Sequence, residues 1–472
     1  MYDSPLMRKF AQAAVALVLS LTVVIALVVP IWYWNGGLIE IEATQFVRQY
    51  LDNRSTLQKV FDPHGNDLDT YQARELSYFV DYLDARVFEA FMLADRPLFV
   101  PASALAAAAL MILVSVVAMR RFPVYAMLPA ALVLLLFVTN YAHLVTMGMF
   151  YRSTKPLLAP VLIATVFYLL AILQHRPGTG NATSVRRLWA PLIVFVLFSV
   201  MSLLDRQGFY YAVAGVVILA IHAALAGGRR DVLAAGAAAV VAMVLYNLML
   251  GPLLVERING YSPSFAYQRL PWQNLFRDPR IVLHAGELVL QSAALLMGGA
   301  PPWLFGLASA GAAVWLLFRG RKAIVLAGVF VALVQTVLVA LMIARHPPIY
   351  DYYDHRVWYY PLPFQALLVA LLIAFIGRIV PAWSAGRTRM LSLVLAALAV
   401  SNVVHWNDYR RAQLRSRWFP AIYAQNAALK ASFADGRPRP SLSPEYFVFF
   451  EFWRERAPAL RARAERAQAG TR

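Results

Sequence analysis

Apolar runs of about membrane-spanning length recur along this 472-residue chain, and basic residues stand at alternate ends of them. A helix needs about 20 apolar residues to cross the hydrocarbon core of a bilayer. Only 14% of the residues are charged, whereas a typical soluble protein has about 25%. The pattern therefore predicts an all-α membrane protein with about eleven transmembrane helices.

The predicted spans follow one another with mostly short connections. They cover residues 11–34, 98–118, 124–147, 156–174, 188–204, 209–226, 231–250, 303–318, 323–343, 361–379 and 388–404. Residues 1–404 are thus predicted to form one transmembrane domain, followed by a tail of residues 405–472.

Basic clusters fix the predicted orientation, because short loops rich in Lys and Arg stay in the cytoplasm. This rule predicts a cytoplasmic N-terminus and outer segments at 35–97, 251–302, 344–360 and 405–472. It also accounts for much of the net charge of +18, so nucleic acid is not a predicted partner. The clusters that define it are Arg8-Lys9, Arg120-Arg121, Arg186-Arg187, Arg229-Arg230, Arg319 to Lys322, and Arg378, Arg387 and Arg389.

Two apolar outer segments are predicted to lie at the membrane surface. Thr70–Leu93 has helical periodicity, with an apolar stripe on one face and acidic and tyrosine residues on the other. Such a helix lies along a membrane more readily than it crosses one. Residues 281–299 carry His284 and Glu287, and counting them as a span would place the basic cluster after residue 318 outside. We therefore predict an interfacial or re-entrant helix there.

Three carboxylates in the first outer loop are candidates for a general base: Asp67, Asp69 and Glu75. Transfer to a hydroxyl needs a carboxylate within hydrogen-bond reach of the attacking proton. The alternative is structural, since acids near a helix N-terminus are stabilised by the helix dipole and Asp69 could be an N-cap.

A second candidate is the tight turn at Asp205 and Arg206 between two predicted spans. Ionisable groups at membrane depth are functional candidates. Arg206 would bind a phosphate, while Asp205 would join the acidic cluster or bind a divalent cation such as Mg²⁺ or Mn²⁺. The alternative is an ion pair that the two residues make with each other.

Basic and aromatic residues in the outer loops suggest an anionic ligand that carries a sugar. Arginine and lysine bind phosphate, and aromatic rings offer stacking surfaces for sugars. Snorkelling to membrane lipids and an interfacial aromatic belt are the structural alternatives. The candidates are Arg152, Lys155, His355 and Arg356 for phosphate and its surroundings, and Tyr71, Tyr78, Trp358 and Tyr359 for the sugar or acceptor. The histidines show no metal-ligand spacing, and the chain has no cysteine.

An N-terminal span, a long acidic first loop with an interfacial helix, and many later spans resemble the GT-C superfamily of polytopic glycosyltransferases. The residues that carry the resemblance are Asp67, Asp69, Glu75, the Thr70–Leu93 helix and Asp205. The resemblance implies a bacterial inner-membrane enzyme with a periplasmic site. It would transfer a sugar from a polyprenyl-phosphate carrier, with inversion, to a glycan, lipid or protein acceptor.

Two other functions are compatible with the same pattern. An O-antigen ligase or polymerase would instead use outer arginine and histidine residues in the later loops. A transporter or flippase of lipid-linked saccharide would perform no covalent chemistry, but it usually places charges at the membrane midplane, where the predicted spans have few.

Overall fold

In the computed structural model, the described residues form helices joined by short connections. No strand occurs among these residues. The described residues are 5–34, 47–63, 73–93, 100–147, 154–174, 184–226, 229–263, 272–298, 301–318, 322–345, 361–407, 418–435 and 447–469.

The helices are numbered here in chain order. The first half contains α1 Pro5–Leu27, α2 Val29–Trp34, α3 Thr56–Phe61, α4 Glu75–Leu93, α5 Ala102–Met119, α6 Val124–Thr139, α7 Tyr141–Met147, α8 Thr154–Gln174, α9 Ser184–Leu204 and α10 Arg206–Ala226. The second half contains α11 Arg230–Leu245, a π-helix Tyr246–Leu250, α12 Gly251–Asn259, α13 Trp272–Arg277, α14 Arg280–Leu295, α15 Pro302–Phe318, α16 Lys322–Arg345, α17 Pro361–Ile379, a 3₁₀ turn Val380–Ala382, α18 Ala385–Val404, α19 Trp418–Asp435 and α20 Phe447–Ala469.

Seven helical segments among the described residues are long and apolar enough to cross a membrane. The class of an all-α membrane protein is therefore confirmed, whereas the count of eleven spans remains a prediction. The seven are Arg8–Tyr33, Ala102–Met119, Pro156–Leu173, Arg206–Ala224, Arg230–Asn259, Leu362–Ala382 and Ala385–Val404. Shorter apolar helices occupy Val124–Thr139, Trp189–Leu204, Pro302–Phe318 and Gly328–Ala344.

Helix α6 forms the centre of the main core and is buried on all sides from Ala130 to Thr139. Helices α1, α17 and α18 pack around it. Asn402 of α18 donates to the Leu136 carbonyl oxygen at 3.3 Å, and the Trp406 indole donates to the Thr139 carbonyl oxygen at 2.9 Å. These bonds satisfy carbonyl groups at the end of α6, where the helix leaves them without partners of its own.

A second core joins α8, α9, α10, α11 and α16. Gly208 at the start of α10 allows α9 and α10 to turn tightly, because a Cβ there would lie 2.0 Å from the Met201 carbonyl oxygen. This turn carries Asp205 and is the part of the second core that faces α4.

The two ends of the bundle differ in what they carry. At one end, α17 passes so close to the turn after Arg120 and Arg121 that a Cβ on Gly377 would lie 2.3 Å from the Phe122 ring. The opposite end, which we call the site end, carries the turn at Asp205 and the described part of the first loop.

The C-terminal tail folds as a hairpin of α19 and α20 and docks at the site end. Arg456 pairs with Glu89 of α4 at 2.6 Å, and the Lys430 ammonium donates to the Met92 carbonyl oxygen at 2.7 Å. The tail and the first loop therefore lie on the same side of the spans. Their assignment to the outer side remains a prediction.

Helix α4 begins at Glu75, whereas the sequence pattern predicts its start at Thr70. Residues 70–72 lie outside the described residues, and 73 and 74 are not helical. The N-cap position of α4 is thus Arg74, so the interpretation of Asp69 as the N-cap of this helix is wrong.

The apolar stripe of α4 faces outward, and its acidic face is buried against the protein. Phe79 and Leu83 are 42% and 47% exposed, whereas Asp81 and Asp84 are nearly inaccessible. Asp84 accepts hydrogen bonds from the backbone N–H and the hydroxyl of Ser103, at the start of α5. These two hydrogen bonds offset the cost of burying the Asp84 carboxylate.

Candidate site at the start of α4

Arg74 links the first loop to the α9–α10 turn. Its guanidinium lies 3.5 Å from a carboxylate oxygen of Asp205 and donates to the Tyr78 hydroxyl at 3.5 Å. The same group lies 5.3 Å from the centre of the Tyr78 ring, within the range of a cation–π contact. Because the Arg74 and Asp205 side chains are 17% and 3% exposed, this pair is largely removed from solvent.

The two carboxylate oxygens of Asp205 face different groups. One oxygen faces Arg74, and the other accepts the backbone N–H of Gln207 at 2.8 Å. Asp205 directly precedes α10, so this second bond is a helix N-cap. The acid is therefore oriented by the backbone of α10 before any ligand arrives.

Glu75 follows Arg74 directly and is buried as the first residue of α4. Its carboxylate lies close enough to the Tyr246 hydroxyl to interact with it. Tyr246 begins the π-helix that interrupts the α11–α12 segment, and the Asn247 amide donates to the Met243 carbonyl oxygen at 2.8 Å within it. Single π-helical turns of this type re-aim side chains and are frequent at functional sites.

Asp62 is a third buried carboxylate at this location. The Tyr261 hydroxyl donates to it, and the Arg54 guanidinium donates to the Asp62 carbonyl oxygen at 3.1 Å and to that of Pro63 at 2.8 Å. Arg54 thus fixes the turn that follows α3. Tyr261 and Tyr246 pack with Ala73 in one small apolar cluster, which joins this turn to the start of α4.

Tyr78 lies among these charges. Burial raises the pKa of its phenol above the ordinary value, opposed by Arg74 and reinforced by the charges of Asp62 and Glu75. The hydroxyl consequently stays protonated at neutral pH and can donate a hydrogen bond. We call Asp62, Arg74, Glu75, Tyr78 and Asp205 the Arg74 cluster.

The arrangement has a definite chemical capacity. A buried carboxylate beside a tyrosine hydroxyl, such as that of Glu75, can accept a proton from an attacking hydroxyl group. Arg74 supplies a cation that a phosphate could share with Asp205. Among the described residues, no three His, Asp or Glu side chains converge to hold a metal ion.

The structure brings together three of the residues that the sequence singled out: Glu75, Tyr78 and Asp205. Arg206 is the first residue of α10 and is half-buried beside them. Lys155 lies in α8, and its side chain is outside what the structure describes. The remaining candidates also lie outside the described residues: Asp67, Asp69, Tyr71, Arg152, His355, Arg356, Trp358 and Tyr359.

The sequence pattern left open an ion pair between Asp205 and Arg206, and it did not single out Arg74, which the structure gives as an ion-pair partner of Asp205. Sequence reasoning also missed Tyr246 and Gln207 as members of the site. Tyr246 and Asn247 are two polar residues within an apolar run, and this interruption of the run is the sequence feature that could have indicated Tyr246. No local pattern singles out Gln207.

Comparison with known proteins gives no relative. No family model, no curated protein and no solved structure matches the chain.

Proposed function

We propose that this protein is an inverting glycosyltransferase that takes a sugar from a polyprenyl-phosphate donor. The acceptor is a glycan, lipid or protein of the cell envelope, and the site faces the periplasm from the bacterial inner membrane. The observation that carries the proposal is the Arg74–Asp205 ion pair, because it joins the first-loop acid Glu75 to the α9–α10 turn in one buried cluster.

The chemistry that we propose needs a base and a phosphate-binding cation at the membrane surface. The acceptor hydroxyl oxygen bonds to the anomeric carbon while the bond from that carbon to the phosphate oxygen breaks. The acceptor proton passes to a first-loop carboxylate, and polyprenyl phosphate leaves with the bonding electrons. Glu75 is our candidate base among the described residues, and Asp67 and Asp69 remain candidates beside it.

The surroundings of the cluster support a lipid-linked donor. The exposed apolar stripe of α4, with Phe79 and Leu83, offers a surface that an acyl or prenyl chain can contact. The buried face of the same helix starts at the cluster. If the prenyl tail of the donor lies in the bilayer, its phosphate would thus lie at the same depth as the acids of the Arg74 cluster. Arg74 and Arg206 would bind that phosphate, together with Arg152, Lys155 and Arg356.

The test is a mass-spectrometric comparison of surface glycans from wild-type and deletion strains. We expect a difference of one sugar residue, which returns on complementation with the wild-type gene and not with Glu75→Gln. Glu256→Gln is the matched control, because Glu256 is an exposed acid on α12. Immunoblotting of membranes verifies equal amounts of each variant.

Other results would point to other functions. If the amides of Asp67, Asp69 and Glu75 all retained activity, the first loop would not be catalytic and a ligase or polymerase would be favoured. Loss of an entire saccharide from the cell surface, with no transfer by the purified protein, would favour a flippase.

A further inference from the structure

Gln207 carries a buried side-chain amide in the first turn of α10. Its side chain is 3% exposed, and neither its amide nitrogen nor its amide oxygen has a hydrogen-bond partner among the residues that the structure describes. Buried polar groups in native proteins are nearly always paired, so an exception of this kind calls for an explanation.

The position of Gln207 places it beside the Arg74 cluster. Its backbone N–H donates to Asp205 at 2.8 Å, and the other oxygen of Asp205 lies 3.5 Å from Arg74. Gln207 is the second residue of α10, so one residue, Arg206, separates it from the acid that caps the helix.

The face of α10 that carries Gln207 is turned toward α16. Residues four apart lie on one side of a helix, so Gln207 stands one turn above Tyr211. The Tyr211 hydroxyl donates to the Gln335 amide oxygen of α16, and both side chains are buried. Buried polar groups therefore run from the Arg74 cluster along the contact between α10 and α16, and Gln207 lies at the cluster end of this row.

Another buried glutamine, Gln365, has a partner for its amide nitrogen, although its amide oxygen has none among the described residues. The Gln365 amide donates to the Ser292 carbonyl oxygen at 2.7 Å and so links α17 to α14. Gln207 makes no such link within the described residues, although it is buried to nearly the same degree. A packing role alone would be served by leucine or methionine without the cost of an unpaired amide.

We propose that the Gln207 carboxamide binds hydroxyl groups of the transferred sugar and thereby contributes to sugar specificity. The inference rests on the proposed function. A carboxamide offers both donors and an acceptor, and neighbouring hydroxyl groups on a sugar ring complement both. A phosphate presents only acceptors, and a prenyl chain presents neither, so the sugar is the part of the donor that matches.

The experiment measures ligand-dependent melting midpoints of the purified full-length chain in lipid nanodiscs. The probes are farnesyl phosphates that carry glucose, mannose, galactose or arabinose, and farnesyl phosphate without a sugar. Gln207→Leu is the test variant, and Gln365→Leu is the control.

We expect Gln207→Leu to weaken the apparent affinity for the preferred sugar-bearing probe by about tenfold, since about two hydrogen bonds are lost. Its affinity for the sugar-free probe should not change. Without a probe, this variant should melt no lower than the wild type, because leucine removes an unpaired buried amide. Gln365→Leu should melt lower than the wild type and keep its preference for the sugar-bearing probe.

Three results would overturn the inference while leaving the proposed function intact. They are an unchanged affinity of Gln207→Leu for the sugar-bearing probe, an equal loss for both kinds of probe, and a lower midpoint without any probe. A wild-type chain that binds none of the sugar-bearing probes would overturn the proposed function itself, and the inference with it.

Discussion

The Arg74–Asp205 ion pair can be tested by a double-mutant cycle with Arg74→Met and Asp205→Asn. At the observed 3.5 Å, two unit charges attract by about 5 kcal/mol for an effective dielectric constant of about 20. Desolvation of two buried groups offsets much of this attraction. The asparagine keeps an oxygen that can cap α10, so this substitution isolates the charge of Asp205 from its capping role.

Arg74→Met should cost about 3 kcal/mol, because it leaves buried carboxylates without their cation. Asp205→Asn should cost about 2 kcal/mol, and the double variant about 3 kcal/mol, since the second change removes a charge that has already lost its partner. The resulting coupling energy is about 2 kcal/mol. Equilibrium unfolding in mixed micelles, followed by tryptophan fluorescence, measures all four proteins.

The exposed pair of Arg454 and Glu451, with side chains 59% and 47% accessible, is the control. It should couple by less than about 0.5 kcal/mol, as surface pairs generally do. A coupling energy for Arg74 and Asp205 as small as that of this control would refute the buried pair. The α9–α10 turn would then not be held to the first loop by charge.

Three further predictions concern the surroundings of the site. Tyr246→Phe removes the hydroxyl that interacts with Glu75, so the acidic limb of the pH–rate profile of transfer should move to higher pH as the carboxylate loses a polar neighbour that stabilises its charged form. Arg456→Met removes the ion pair that docks the tail, so limited proteolysis should cleave the tail hairpin at least several times faster than in the wild type. Gly208→Ala should destabilise the protein by about 2 kcal/mol or more in thermal unfolding, because its Cβ meets backbone, whereas Gly306→Ala has open space around it and should be neutral.

Each of these predictions has an outcome that contradicts it. An unchanged pH profile for Tyr246→Phe would mean that Glu75 is not the group that titrates during transfer. Equal proteolysis rates would show that the tail is held by its apolar contacts alone. If Gly208→Ala melted like Gly306→Ala, the close approach of α9 and α10 would not be a constraint on the fold.

Some features of this protein could be predicted from composition and periodicity. The length and apolarity of the apolar runs are enough to predict an all-α membrane protein. Within a bilayer, a helix is the only single segment that satisfies all the hydrogen bonds of its own backbone. The α9–α10 turn was also predictable, since Asp205 to Gly208 interrupts an otherwise apolar stretch. The start of α4 was misplaced by five residues, because periodicity locates a helix better than it locates its ends.

The sequence by itself determined the helical class, the candidate loops and the chemical types that they carry. Only the tertiary structure decided which of those groups meet. The ion-paired residues Arg74 and Asp205 are 131 positions apart in sequence, and the hydrogen-bonded residues Asp62 and Tyr261 are 199 apart. Local sequence patterns predict which residues share one face of a helix. The partner of a buried charge depends instead on which other helix packs against that face. The same packing buries Gln207 beside Asp205, and nothing in its local sequence foretells that environment.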